Sequence, residues 1–216
     1  MPAIAGYLTT LKVTGTTTTM SSEAMSTNST VANTYKIDAA AKAIWGRDLS
    51  FTFYEATTTA GRVAVAASAI SSIDYLFGKV TFGSTRAEPV TVSGGYLPAT
   101  NAAGANTYNM VQSGEMLDDT DFTSTGWRSR VRGLKDVSLT VSRWDSIDLD
   151  YYNLIDSGAA VVMEVRPGGT GSSVAARGFY KIESDAHSGD VASLEASELS
   201  FMLDGSTADD FSWGVV

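Results

Sequence analysis

The amino-acid sequence predicts a mainly β protein, built as an antiparallel β-sandwich with one or two short α-helices. Hydrophobic and polar residues alternate in several short stretches, among them "LSFTFYEA" at 49–56 and "KDVSLTVSRW" at 135–144. Such alternation is the pattern of a strand with one buried face. Turn residues separate these stretches at spacings that are typical of sandwiches and barrels. With 216 residues, of which 44% are hydrophobic and 18% charged, the chain is long enough to bury a substantial core.

Each predicted element rests on a local signal. The alanine-rich stretch at 35–45 predicts a short helix, and 147–157 predicts an amphipathic helix because apolar residues recur there at three- and four-residue steps before Gly158. The glycine-rich stretch "RPGGTGSS" at 166–173 predicts a hairpin tip between two strands. The predicted strands are 49–54, 73–82 in two pieces around Gly78, 89–98, 108–122 leading into an acidic loop, 137–144, 159–166, 174–183 and 195–204.

Residues 1–33 form a predicted Thr/Ser-rich N-terminal arm. Threonine favours extended backbone, whereas serine and asparagine favour turns, so "VTGTTTTMSSEAMSTNST" at 13–30 predicts a strand or an exposed arm that runs into a loop. Such a segment is either a flexible terminus or an arm that becomes ordered only against a neighbouring subunit, since it has few apolar residues to offset its ordering entropy. The rest of the chain, 34–216, is the predicted sandwich, either whole or divided into an N-terminal lobe at 34–97 and a core at 98–216.

Charge is unevenly distributed along the chain. Residues 1–108 hold 7 Lys and Arg against 6 Asp and Glu, whereas residues 109–216 hold 8 against 18. The formal net charge of -9 therefore resides in the second half. An acidic protein repels phosphates, because affinity for nucleic acid comes mainly from Lys and Arg displacing counterions. A sequence-reading DNA-binding protein is therefore disfavoured.

No stretch of the sequence is long and apolar enough for a transmembrane helix, and the opening "MPAIAGYLTTLK" lacks the pattern of a secretory signal.

Catalytic and metal-binding chemistry finds little support in the sequence. The chain has no cysteine and one histidine, His187, which we interpret as a solvated loop residue. The acidic stretches at 117–122 and 145–150 lack the turn glycine and closing acid of a calcium loop. The glycine-rich 166–173 lacks the Lys-Ser/Thr of a phosphate loop. The residues therefore give little support to a metal site, a Ser-His-Asp triad or a phosphate loop.

A cluster of four basic residues stands out within the acidic half. It lies in "TSTGWRSRVRGLKDVSLTVSRWD", residues 123–145, and consists of Arg128, Arg130, Arg132 and Lys135. One interpretation is a solvated basic face. The other is charge matching between copies of the chain, since arginine pairs bidentately with carboxylates such as those at 117–121. The tryptophans on either side of the cluster could supply the apolar anchors that interfaces favour, and composition leaves both interpretations open.

Residues 118–145, "DDTDFTSTGWRSRVRGLKDVSLTVSRWD", resemble the signature of the major tail tube proteins of long, flexible-tailed bacteriophages. In that signature an acidic, threonine-containing loop leads to Gly-Trp-Arg, then to Gly-Leu-Lys-Asp and an alternating strand. The predicted helix and strands that follow also fit, so the resemblance covers residues 108–213. Residues 34–97 look like the N-terminal portion of some of these proteins.

The resemblance implies a β-sandwich of the phage tail-tube type that assembles into rings, commonly hexameric, which stack into a tube. The inner sheets of neighbouring subunits would join into one barrel, and viral DNA would pass through its lumen without specific binding. Such a protein is a non-enzymatic virion component made in the bacterial host cytoplasm, without a cofactor or a membrane association. Its other partners would be tape measure, terminator and distal tail proteins.

The resemblance also suggests two sets of site residues. We expect the basic cluster and the acidic loop before it to face neighbouring subunits: Trp127, Arg128, Arg130, Arg132, Lys135, Asp118, Asp119 and Asp121. We expect the polar sides of two later strands to line the lumen: Ser138, Thr140, Ser142, Glu198, Ser200 and Asp204. An acidic lining suits this role because a basic one would hold phosphates.

Three alternatives remain at the level of sequence. A tail terminator, neck or baseplate ring component would share the fold but form capping rings rather than polymers. A carbohydrate-binding β-sandwich would be a monomer with exposed aromatic residues arranged as a sugar platform. A hydrolase is the third alternative, although no constellation of residues supports it.

Overall fold

The computed structural model of the protein describes residues 9–28, 31–57, 61–102, 104–120, 127–144, 149–190, 195–206 and 210–216. Fifteen strands and one α-helix lie within these ranges. In chain order they are β1 Thr10–Thr14, β2 Thr18–Thr27, β3 Thr34–Ile37, β4 Thr52–Thr57, β5 Gly61–Ala64, β6 Ile70–Asp74, β7 Lys79–Phe82, β8 Val90–Tyr96, β9 Ala99–Asn101, β10 Ala105–Asp118, β11 Arg130–Trp144, α1 Leu149–Ser157, β12 Val161–Arg166, β13 Val174–Ser188, β14 Ala196–Leu203 and β15 Phe211–Val215.

The chain divides into two compact units. The first comprises Met1–Ala102, Val161–Gly178 and Thr207–Val216, and the second comprises Ala103–Ala160 and Phe179–Ser206. Strand β13 begins in the first unit and ends in the second. The chain therefore enters and leaves the second unit twice, and each unit is assembled from segments that are distant in sequence.

The first unit contains a seven-stranded antiparallel sheet in the order β5-β4-β8-β2-β3-β7-β6. One side of this sheet is a hydrophobic core, because every second residue of its central strands is large and apolar. The cluster is formed around Tyr35, Trp45, Phe53, Phe82 and Val92, each of which is at most 2% exposed. Edge-to-face contacts join three of these aromatic rings, as in the pair Phe53 and Phe82, whose centroids lie 5.8 Å apart.

The other antiparallel sheet of the chain has eight strands, of which the first unit contains the beginning of β13, followed by β12, β1 and β9, with β15 also paired to β13. Buried charges join its strands. Glu164 on β12 accepts a 2.7 Å hydrogen bond from Arg177 Nε and a 2.9 Å hydrogen bond from Arg166. Arg177 also donates to the Leu76 carbonyl and lies over the Phe77 ring. Burial lowers the pKa of Arg177, an effect that the Glu164 carboxylate opposes.

The second unit contains a four-stranded antiparallel arrangement in the order β10-β11-β14-β13. Leu139 and Val141 of β11 stand in register with Phe201 and Leu199 of β14, and Val137 lies on the same side of the sheet. These side chains are at most 3% exposed. The alternating sequence therefore gives one buried face and leaves the polar residues between them on the other face.

Most of the predicted elements are confirmed. The protein is mainly β, with two antiparallel sheets and one helix in the described residues, as expected for a β-sandwich. The predicted helix at 147–157 is found as α1, whose described part begins at Leu149; residues 145–148 lie outside the described ranges. Strand pieces β6 and β7 lie on either side of Gly78, as predicted. Gly169–Gly171 forms a 3-10 turn at the predicted hairpin tip between β12 and β13.

The predicted helix at 35–45 was wrong. Thr34–Ile37 is strand β3, and the alanines form only a single 3-10 turn at Ala40–Lys42. Tyr35 and Ile37 are buried in the core of the seven-stranded sheet, at 0% and 2% exposure. Tertiary burial of these two side chains outweighs the modest helix propensity of the alanines that follow.

The predicted N-terminal arm at 1–33 includes two strands of the first unit. Thr10–Thr14 is β1, which pairs with β12, and Thr18–Thr27 is β2, which pairs with β3 and β8. The domain boundaries at 33 and 97 stay a prediction. In the described part of the chain, no helix combines the length and the apolar character that crossing a membrane requires.

Candidate assembly surfaces

The β10–β11 hairpin of the second unit extends beyond its neighbouring strand. Strand β14 pairs with β11 only along Ser138–Trp144, whereas β10 and β11 stay paired as far as Asp118 and Arg130. We name the hairpin arm as residues 112–120 and 127–137. Its side chains are largely exposed, and β10 stands at the end of its sheet. A strand of 14 residues at a sheet edge presents a long row of backbone groups that another chain can pair with.

One face of the hairpin arm carries the predicted basic cluster. In the hairpin register Arg130 stands opposite Asp118, Arg132 opposite Met116, and Lys135 opposite Gly114. Their three partners are alternate residues of β10 and therefore share one face. Strand β11 has one extra residue, a bulge, between Arg132 and Lys135, so all three cations lie on that same face. The guanidinium of Arg132 lies over Gly114, where a Cβ would come within 3.5 Å of its Nε atom.

The remaining predicted interface residues lie near the tip of the arm. Trp127 is 84% exposed, and Arg128 and Asp119 are also exposed. Asp121 lies outside the described residues. The structure therefore brings Asp118 and the three strand cations together, whereas Trp127 and Arg128 precede β11. Whether these residues contact a neighbouring subunit stays a prediction.

Sequence reasoning missed the apolar content of the hairpin arm. Leu117 and Val131 are cross-strand partners on the face opposite the basic cluster, at 49% and 51% exposure. Leu134 and Met116 are exposed at 81% and 63%. The signal in the sequence was Val131, an apolar residue between two arginines. Simple alternation would bury Val131 within the chain itself, whereas its side chain is half-exposed in the isolated chain. Exposed apolar residues that lie together mark interaction sites.

Hydrogen bonds organise the turn that leads out of β10. Asp118 accepts hydrogen bonds from the hydroxyl and the backbone N–H of Thr120. These bonds, the hydroxyl first, lower the pKa of Asp118 because they stabilise its charged form. The Thr120 hydroxyl oxygen in turn accepts a 3.0 Å hydrogen bond from the Ser129 backbone N–H. The two ends of the acidic turn are thereby joined across the hairpin.

Five of the six predicted lumen residues share one face of the four-stranded sheet. We name this side the polar face. Ser142 stands opposite Glu198, Thr140 opposite Ser200, and Ser138 opposite Met202. Ser184 and Ala186 of β13 continue the rows formed by Ser200 and Glu198. The face consists mainly of short side chains that are exposed or half-buried.

Asp204, the sixth predicted lumen residue, follows directly after β14. Its backbone N–H donates a 2.8 Å hydrogen bond to the Phe179 carbonyl, which continues the β13–β14 ladder by one residue. Its carboxylate forms an ion pair with Lys181, with 3.4 Å between Oδ1 and Nζ. Sequence reasoning did not single out Lys181, since nothing in "GFYKIES" shows which residue of another strand will stand beside it.

The opposite face of the same sheet contains buried polar groups. Arg143 is 2% exposed and donates a 2.8 Å hydrogen bond to Ser197 Oγ. Burial raises the pKa of Tyr180, and the nearby Asp136 charge adds to this effect. These groups lie among the core residues of the second unit and contribute to its packing.

Little in the described residues points to catalysis. His187 lies in strand β13 rather than in a loop, and its Nε2 stands 3.2 Å from Asp185 Oδ2. Its cross-strand neighbour Ser197 is 1% exposed, so a substrate could not reach that hydroxyl. Within the described ranges, no group of three or more His, Cys, Asp or Glu side chains is placed to hold a metal ion.

Comparisons with known proteins give structural matches alone. No family model matches the chain, and no curated protein sequence matches it. Among solved structures, the chain is similar to a protein described as "Tail of empty GTA particle computed with helical refinement, C6 symmetry", with 16% identity and a TM-score of 0.46 over 55% of this chain and 87% of that one. It is also similar to a protein from the "Virion of native gene transfer agent (GTA) particle", with 20% identity and a TM-score of 0.46 over 54% of this chain and 89% of that one.

Proposed function

We propose that the chain is a structural subunit of a phage-like tail, and that its copies join into stacked rings that form the tail tube, the conduit for viral DNA. The observation that carries this proposal is the four-stranded sheet of the second unit. This sheet has one buried face, one polar face and a 14-residue strand at its edge. The tail-tube resemblance of residues 118–145, whose described part belongs to the hairpin arm and to β11, supports the same function.

Strand addition at β10 gives the simplest route to a ring. Backbone N–H and C=O groups at a sheet edge form hydrogen bonds when a strand of another copy lies alongside them. When the β10 edge of one copy pairs with a different surface of the next copy, the repeated contact closes into a ring or continues as an open helix. The hairpin arm extends beyond the end of β14, its neighbour in the sheet. Its basic face is suited to contacts with the acidic surface of further copies, and its apolar face to contacts with apolar surface of those copies.

The polar face would then line the lumen. Ser138, Thr140, Ser142 and Ser200 offer hydroxyl groups without positive charge, and Glu198 adds a negative charge. A lining by these five side chains lets DNA pass because none of them is a cation that a phosphate could bind in exchange for its counterions. Replacing Glu198 and Asp204 together by lysine should impair DNA passage through the tube. Unchanged assembly and unchanged ejection in this double variant would show that these residues do not line the lumen.

Electron microscopy of the purified, concentrated protein tests the proposal, with sedimentation as the measure of size. We expect hollow tubes or stacked rings with an axial hole. Closed rings that never stack would favour a terminator, neck or baseplate ring component. A persistent monomer that binds glycans would favour a carbohydrate-binding sandwich and would contradict the tube.

Two proline variants locate the contact. Successive residues of a strand direct their N–H groups to opposite edges, so one of Asn109 and Met110 donates toward β11 and the other toward the open edge. Asn109→Pro and Met110→Pro should therefore differ. One should loosen the hairpin, whereas the other should keep the thermal stability of the parent protein and lose assembly. Assembly of both variants at the parent concentration would exclude edge pairing through β10.

A further inference from the structure

The polar face of the second unit contains a single positively charged group within its described rows. Lys181 on β13 stands in register with Met202, and the acids on this side include Asp136, Glu198 and Asp204. The side chain of Lys181 is 52% exposed. A lysine in this position is the one group of these rows that could hold a phosphate by releasing a counterion.

The structure places a carboxylate beside this lysine. Asp204 Oδ1 lies 3.4 Å from Lys181 Nζ, and the Asp204 side chain is only 18% exposed. The backbone of Asp204 is fixed on both sides, because its N–H donates to Phe179 and its carbonyl accepts from Ser206. The carboxylate is therefore the more fixed partner, and the lysine is the more exposed one.

An ion pair of this kind contributes little to folding stability, since its lysine is largely exposed to solvent. Its larger effect is on the local charge. With Asp204 ionised, the pair is neutral, and a phosphate that approaches Lys181 meets the Asp204 carboxylate 3.4 Å from the amine. Loss of Asp204 would leave the amine as an unpaired cation on a face that is otherwise neutral or acidic.

We propose that Asp204 masks Lys181, so that the polar face does not retain a polyanion such as double-stranded DNA. The inference rests on the proposed function, in which this face lines the DNA conduit. It goes further by assigning a role to one ion pair. This role differs from that of the general acidity of the face. Glu198 has the same charge as Asp204, but its partners in the register are Ser142 and Ala186 rather than a lysine.

Binding of a short DNA duplex to the purified protein tests the proposal, measured by fluorescence anisotropy across a series of salt concentrations. Asp204→Asn is compared with Glu198→Gln, which removes one negative charge from the same face and leaves the Lys181–Asp204 pair intact. The basic hairpin arm is the same in both variants, so its contribution cancels. The double variant Asp204→Asn with Lys181→Gln is the rescue control, and thermal unfolding checks that all variants fold.

We expect Asp204→Asn to bind the duplex more tightly than Glu198→Gln. Its log–log salt dependence should be steeper by about 0.9 for each Lys181 that contacts a phosphate. The double variant should return to the affinity and slope of the parent protein. Equal affinities and slopes for Asp204→Asn and Glu198→Gln would overturn the masking role, as would tighter binding that persists in the double variant.

The outcome is separable from that of the proposed function. If the parent protein forms no rings or tubes in electron microscopy, the conduit is contradicted, whereas the binding comparison still reports on the ion pair in the free subunit. If tubes form and the two single variants bind DNA equally, the conduit stands and the masking role is wrong.

Discussion

The exposed apolar pair on the hairpin arm gives the sharpest test of assembly. We expect the double substitution Leu117→Thr and Val131→Thr to weaken assembly without unfolding the subunit. The two residues are cross-strand partners, 49% and 51% exposed in the isolated chain. Threonine keeps a β-branched side chain, so the strand preference is maintained while apolar surface is lost.

The magnitude follows from the exposed fraction. Burying a Leu or Val side chain fully is worth about 1.5–3 kcal/mol, so covering the exposed half of each contributes about 1 kcal/mol. The pair together contributes about 2 kcal/mol, which corresponds to a rise of about 30-fold in the critical concentration for assembly. Folding stability should change by about 0.5 kcal/mol or less, since both side chains are already open to solvent.

The assay is pelleting of assembled protein over a range of subunit concentrations. The matched control is Val63→Thr, because Val63 lies on strand β5 of the first unit and is exposed to a similar extent, 50%. The control should assemble at the concentration of the parent protein. An unchanged critical concentration in the arm variant, or an equal loss in the control, would refute the assignment of the arm as an assembly surface.

Three further predictions concern the subunit itself. Glu164→Gln should destabilise the fold by about 3–5 kcal/mol in urea unfolding, because it leaves buried cations without their carboxylate; a loss below 1 kcal/mol would argue against the buried pair. Gly214→Ala should cost about 1–3 kcal/mol, since its Cβ would lie 2.6 Å from the Phe77 ring, and Phe77→Leu should restore part of the melting temperature. Thr120→Val should raise the pKa of Asp118 in an NMR titration. The Thr120–Asp118 hydrogen bond contributes to stability above the ordinary aspartate pKa, and this contribution is lost as pH falls through the lowered pKa of Asp118. A pKa of Asp118 that stays unchanged in the variant would contradict the role of the Thr120 hydroxyl.

The β character of the chain was predictable because alternation is a local property. Val137, Leu139 and Val141 alternate with small polar residues, and the same spacing gives the buried and open faces of β11. The segment at 35–45 was not predictable in this way. Its alanines favour a helix, whereas the strand depends on core partners such as Phe82 that lie far away in sequence.

The candidate surfaces were predictable only in part. The basic cluster could be seen in the sequence, and pairing in the hairpin explains why Arg130 and Arg132 share a face. The ion pair of Lys181 and Asp204 depends on the register between β13 and β14, which a bulge near Ile182 shifts. A shift of one residue changes the face on which every later side chain lies, so no reading of a single sequence fixes this pair.

The short side chains of the polar face have a consequence for the entropy of whatever passes over it. Serine, threonine and alanine have few rotamers, so this surface has little side-chain freedom to lose when another molecule comes close. A surface of lysine or glutamate would lose up to about 2 kcal/mol for each side chain that becomes ordered. In the proposed conduit, Ser138, Thr140, Ser142 and Ser200 would therefore present nearly the same free energy to every segment of a moving polymer, and no position along it would become a resting point.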